Sequence, residues 1–144
     1  MNSDKDLVRK AFEAREHAYA PYSGFMVGAA LLCRDGSVYC GCNIENAAYG
    51  VAQCAERTAL FQAVYEGKRE FSAIAVVGKH RSAQSFDYCT PCGICRQALR
   101  EFCSPKDFQI LLARSEEDIK VYSLEELLPQ GFGPENMQET LQQH

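Results

Sequence analysis

Short apolar runs and amphipathic stretches alternate along this 144-residue chain. Leu7, Val8, Ala11, Phe12, Ala18 and Tyr19 recur at helical spacing. They predict a helix over residues 3–19, with Ser3 as its cap and Asp6 closing a capping box. Pro21 and Gly24 break it. Residues 25–33 (FMVGAALLC) are apolar almost throughout, and Asp35-Gly36 supplies a two-residue hairpin turn before a second strand over 38–43. Residues 54–66 read as a helix with Gly67 past its end, and 71–78 (FSAIAVVG) as a buried central strand. Thr90 as cap and Pro91 at the first helical position open a third helix running to about 102. Strands over 108–113 and 119–122 follow, and Ser123 with Glu126 forms a second capping box for a short last helix.

The order α-β-β-α-β-α-β-β-α predicts one α/β domain over residues 1–144, a five-stranded mixed sheet with helices on both faces. No repeat, low-complexity tract or linker divides it. Hydrophobic residues make up 47% and charged ones 24% of the chain, as in ordinary globular proteins. The net charge of −4, with no long run of Lys or Arg, excludes a nucleic-acid partner at this level. The opening MNSDKDLVRK has no apolar core after a basic patch, and no run approaches 18 apolar residues. Neither secretion nor membrane insertion is expected, and a cytoplasmic location follows.

Eight cysteines change the picture. A disulfide framework is disfavoured in a reducing compartment and in a chain long enough to form a core. Spacing singles out three. Cys92 and Cys95, three residues apart, share one face of a helical turn. Cys54 opens the second helix with Glu56 two residues on, about 200° round an ideal helix. The two serve one site only if Cys54 is the cap and not part of the helix body. Both positions are helix N-termini, where free N–H groups and the macrodipole favour thiolates. Three thiolates suit a catalytic zinc, which keeps one position for water, with Glu56 as the proton carrier. They leave the cluster electron-rich, and Arg57 and Arg96 are the candidates to offset that charge.

Other readings of these cysteines stay open at this point. Cys89-x-x-Cys92-x-x-Cys95 starts like an iron–sulfur run, but Leu99 and Arg100 stand where that run needs Cys and Pro. A closed four-thiolate zinc would use Cys54, Cys89, Cys92 and Cys95; against it, Cys89 precedes the predicted cap and should point elsewhere. Cys33, Cys40, Cys42 and Cys103 read as core or surface thiols. His17, His80 and His144 are scattered and assigned to no metal.

Cys54-Ala55-Glu56 followed by Pro91-Cys92-Gly93-Ile94-Cys95-Arg96-Gln97 resembles the zinc signature of the small homotetrameric cytidine deaminases. The likeness extends to 25–30 (FMVGAA), 43–49 (NIENAAY) and Leu127-Leu128-Pro129 with Phe132. It implies the cytidine deaminase fold, a three-layer α/β/α sandwich, and one zinc ion per subunit. The implied reaction is hydrolytic deamination of free cytidine and 2′-deoxycytidine. Asn43 and Glu45 resemble the residues that hold the ribose hydroxyls, Phe25 the aromatic on the pyrimidine, and Ala55 the residue whose backbone meets the base edge. Ala47, Tyr49 and Phe132 resemble residues reaching a neighbouring subunit's pocket in a homotetramer. Two alternatives remain: a deaminase of another aminopyrimidine nucleoside, such as an aminonucleoside antibiotic, and a non-catalytic zinc-stabilised interaction module.

Overall fold

The computed structural model describes residues 3–137. Its elements follow the predicted order: α1 (Asp4–Arg15), β1 (Phe25–Cys33), β2 (Val38–Cys42), α2 (Ala55–Tyr65), β3 (Phe71–His80), α3 (Gly93–Phe102), β4 (Gln109–Ser115), β5 (Asp118–Ser123) and α4 (Leu124–Leu127). Single 3-10 turns cover Tyr49–Val51 and Pro134–Met137. The five strands form one mixed sheet in the order β2-β1-β3-β4-β5. β3 and β4 are parallel, joined across α3, and the other neighbours are antiparallel.

Both faces of the central strands are covered, which is why their sequences are apolar without alternation. Ala29, Leu31, Ile74, Val76, Ile110 and Leu112 face one core with Ala59, Leu60 and Leu99 from α2 and α3. Ala30, Ala73, Ala75, Val77, Leu111 and Ala113 face the other, against Leu7, Val8 and Ala11 of α1. Small residues let the helices lie close. A β-carbon at Gly28 would stand 2.1 Å from the Ala11 carbonyl oxygen, and one at Gly41 would stand 2.5 Å from the Ala55 carbonyl oxygen. β2 thus rests on the first turn of α2, where Thr58 Oγ1 also donates to the Cys42 carbonyl at 2.9 Å.

Three boundaries differ from expectation. Helix α1 stops at Arg15, not near Tyr19, because the chain leaves it to pair with the segment after β2: Tyr19 N–H donates to Asn43 O at 2.9 Å, and Glu45 N–H to Tyr19 O at 2.8 Å. The β1–β2 turn is longer than two residues. Gly36 N–H closes on Cys33 O at 3.0 Å with φ of 92°, and Cys33 N–H on Ser37 O at 2.9 Å. This is a β-turn followed by a left-handed glycine, the common three-residue hairpin loop. Finally, Cys92 caps α3, in place of Thr90. Pro91 precedes the helix, buried, and its carbonyl accepts from Arg96 Nε at 2.7 Å. A fixed φ near −65° suits the extended approach to a helix as well as its first turn. Both predicted capping boxes, Ser3 with Asp6 and Ser123 with Glu126, are present.

Candidate metal centre and its cavity

Two helix starts meet at the site. Cys54 is the N-cap of α2 and Cys92 the N-cap of α3, both in extended backbone conformation. Cys95 lies in the first turn of α3, fully buried. The Cys54 and Cys92 sulfurs are 3.9 Å apart, those of Cys92 and Cys95 3.5 Å apart, and all three ligand atoms lie within 4.8 Å of one another. Sulfurs at tetrahedral corners around zinc, each about 2.3 Å from it, stand about 3.8 Å apart. The set therefore fits zinc. Among the described residues no other His, Cys, Asp or Glu joins this cluster, so the four-thiolate arrangement with Cys89 is not formed.

Electrostatics around the sulfurs are uneven. A hydrogen bond from Cys95, with help from the Arg57 guanidinium, holds the Cys54 thiol well below its ordinary range. Cys95, on the donor side of that bond and buried, is pushed upward. Arg57 Nη2 donates to Cys54 Sγ at 3.3 Å, so the first charge partner is where expected. Arg96 is not: its Nε and Nη1 donate to the Pro91 and Leu127 carbonyls at 2.7 and 2.8 Å. Two carbonyls without helical partners capture that guanidinium, and it braces the start of α3 against the end of α4.

Cys54, Glu56 and Cys92 line a cavity of about 300 Å³ together with Phe25, Asn43, Glu45 and Ala55. Glu56, in the first turn of α2, is only 5% exposed. Burial pushes its carboxyl up to about 7, its own backbone N–H opposes the rise, and the Cys54 sulfur adds to it. Because Cys54 is the cap and Glu56 lies inside the helix, the 200° separation of two helical residues does not arise. Phe25, the first residue of β1, is 40% exposed and looks into the cavity instead of the core.

Asn43 ends β2 by substituting its side chain for the ladder. Its Oδ1 accepts from Val27 N–H at 2.9 Å and its Nδ2 donates to Phe25 O at 2.7 Å. One amide hydrogen and one lone pair stay available to a ligand. Glu45 Oε1 accepts from the Tyr22 and Ser23 N–H groups at 2.9 and 3.1 Å, and the Ser23 hydroxyl donates to its Oε2. These donors, the Ser23 hydroxyl foremost, hold the Glu45 carboxyl below its usual range.

The remaining expected residues do not line this cavity within one chain. Ala47 lies in an exposed loop. Tyr49 is 79% exposed, its ring edge-on to Tyr22 at 6.5 Å. Phe132 is 58% exposed, on a segment tied to α3 by Gln97 Nε2 donating to its carbonyl at 2.9 Å. Conversely, Ser23, Val27, Gln53 and Cys89 line the cavity without having been expected there. Burial pushes the Cys89 thiol up to about 12, so it stays a neutral thiol. The apolar alternation of β1 contains the signal for Val27, two residues from Phe25. Ser23 and Cys89 reach the cavity through tertiary contacts alone.

Three protein sulfurs would leave a tetrahedral zinc one further position, and two of them line a cavity that also holds a buried carboxyl, the arrangement of a hydrolytic zinc enzyme, not of a closed structural site. The chain belongs to the cytidine and deoxycytidylate deaminases, whose zinc-binding region matches residues 1–111. A cytidine deaminase of Halalkalibacterium halodurans is 50% identical over 131 residues, 91% of this chain and 95% of that protein. The crystal structure of cytidine deaminase from Burkholderia pseudomallei is similar with a TM-score of 0.82 at 47% identity, covering 91% of this chain and all 100% of that one. For the cytidine deaminase of Mycobacterium tuberculosis the TM-score is 0.75 at 37% identity, over 92% and 99% of the two chains.

Proposed function

We propose that this chain hydrolyses free cytidine and 2′-deoxycytidine to uridine and 2′-deoxyuridine with release of ammonia, Glu56 carrying the protons. The observation that carries the reading is the meeting of Cys54, Cys92 and Cys95 at two helix N-termini with Glu56 on the same cavity wall. Zinc held by these sulfurs supplies the Lewis acid that makes water nucleophilic near neutral pH.

The protein groups do the rest. Glu56 takes a proton from the attacking water as oxygen bonds to C4 of the pyrimidine, and gives it to N3. It then moves the second proton of that oxygen to the 4-amino nitrogen; the C4–N bond breaks, ammonia departs, and the 4-keto product remains. Arg57, donating to Cys54, withdraws charge from the thiolates. Asn43 and Glu45 hold the ribose hydroxyls with the bonding capacity left by their contacts to β1, Tyr22 and Ser23. Phe25 packs on the ring, and the Ala55 backbone meets the base edge. Their rigidity favours a ligand presenting both hydroxyl and base groups.

The substrate is a free nucleoside in the cytoplasm, not a strand: the net charge of −4 supports no electrostatic track for phosphates. Ala47, Tyr49 and Phe132 act in trans, each reaching a neighbouring subunit's cavity in a homotetramer. Incubating purified protein with cytidine and following the loss of its absorbance, zinc-replete and chelated, tests the reading. Zinc-dependent conversion is expected. Stoichiometric zinc without conversion would sink it, and would favour a purely structural role for the metal.

A further inference from the structure

Gly78 lies on β3 opposite Val27 of β1. A β-carbon built there would stand 2.9 Å from Cys89 Sγ and 3.1 Å from both Phe25 Cε1 and Val27 Cγ2. Three side chains therefore converge over a position that only glycine leaves open, and all three line the cavity. The segment carrying Cys89 is well anchored. Asp87 forms a bridge with Gly78 itself. The Tyr88 hydroxyl donates to Asp118, and its ring lies under the Lys120 ammonium at 4.4 Å and the Arg114 guanidinium at 5.1 Å. Cys89 is thus a fixed piece of wall, too far from the other sulfurs to join their cluster.

Which part of a substrate meets this wall follows from the chemistry of the ring. C4 must sit at the metal centre and N3 toward Glu56 on α2. N3 and C5 flank C4 on opposite sides, so the C5 edge turns away from α2. Apart from the start of α2 and the segment before it, the cavity is lined by Cys89 and Thr90 just before α3, by Cys92 at its cap, and by Phe25 and Val27 on β1 with Ser23, Asn43 and Glu45 at the strand ends, and these are the residues left to meet the C5 edge. We propose that Cys89, seated over Gly78 beside Phe25 and Val27, sets the room available at C5 and so determines which 5-substituted cytidines the enzyme accepts. This rests on the deaminase reading above, and names a specificity residue within it.

A single methyl group in an apolar pocket changes kcat/KM by about tenfold to a few hundredfold. The readout is the ratio of kcat/KM for 5-methylcytidine to that for cytidine, compared between variants. Electronic effects of the substituent cancel in that comparison, as does a general loss of active enzyme. Cys89→Ala opens the wall, and should raise the ratio at least about tenfold. Cys89→Ile fills it and should lower the ratio by a similar factor. Gly78→Ala presses the sulfur and the Phe25 ring toward the cavity and should also lower it. Should either bulkier variant fail to fold, Cys89→Ala alone decides. A zinc-loaded Cys89→Ala protein whose rates toward both substrates change in equal proportion overturns the proposal while leaving the deaminase reading intact. Wild-type protein inert toward cytidine overturns both.

Discussion

Glu56 and Cys54 are two residues apart, yet they face one cavity because the helix begins between them. The acid is carried on a rigid first turn while the ligand lies just outside it. Removing the acid should therefore leave the metal site standing: Glu56→Gln is expected to keep stoichiometric zinc and lose at least about 10²–10⁴ in turnover. Wild-type-like turnover in that variant would remove Glu56 from the reaction. Arg57 stands in the first turn of α2, three residues after the Cys54 cap, and its contact with the sulfur draws charge from the thiolates. Groups beside metal ligands commonly change affinity or activity by about 10–100-fold. Arg57→Ala should accordingly slow turnover by about that factor at unchanged zinc occupancy; metal analysis beside steady-state rates checks both halves. The three thiols were legible because spacing and helix-start chemistry are local signals. Arg57 and Arg96 looked equivalent for the same reason, since both adjoin ligands in sequence. What separates them is the pair of carbonyls, Pro91 and Leu127, that accept from Arg96, one of which lies far along the chain.

Elements were legible wherever one local rule decided them. The strands of the central sheet, the two capping boxes and Gly67 with φ of 92° after α2 all follow from pattern or backbone chemistry. The end of α1 did not follow, because the pairing of Tyr19 with residues 43–45 that terminates it is a tertiary event. The α3 cap moved for a related reason: an extended Cys92 is what lets its sulfur meet that of Cys54. Close packing between elements then holds the site together. At Gly41 a β-carbon would stand 2.3 Å from Thr58 Oγ1 and 2.5 Å from Ala59 N. Gly41→Ala must push α2 away from β2, at a cost of about 1–3 kcal/mol. Because Cys54 caps α2, the shift reaches the metal centre. The variant should melt at a lower temperature by calorimetry and lose zinc at a lower chelator concentration; a wild-type melting point with wild-type zinc retention would contradict this coupling. Ser123→Ala, which removes the α4 cap, should cost about 1 kcal/mol and act mainly on the C-terminal segment behind Arg96.

At the scale of the whole molecule, one chain leaves its cavity without three of the residues expected to serve it. Tyr49 and Phe132 are largely exposed, as are Phe61 and Tyr65 one turn apart on α2 and Ile94 at the start of α3. Exposed apolar side chains on the two helices that begin at the metal ligands suit burial against another protein surface. If that surface is a second copy, a site can be repaired from outside its own chain, and two disabled variants provide the test. A Glu56→Gln subunit lacks the acid but presents an intact Phe132. A Phe132→Ala subunit keeps the acid but presents no aromatic ring at position 132 to its neighbour, and alone should bind nucleoside at least about tenfold more weakly, the scale of losing a buried aromatic contact. Co-expressed in mixed oligomers, the second type of subunit receives Phe132 from the first. Activity at low cytidine should then exceed the sum of the two variants measured separately. Strictly additive rates in oligomers shown to be mixed would mean that each chain completes its own cavity, and that Phe132 is exposed for another reason.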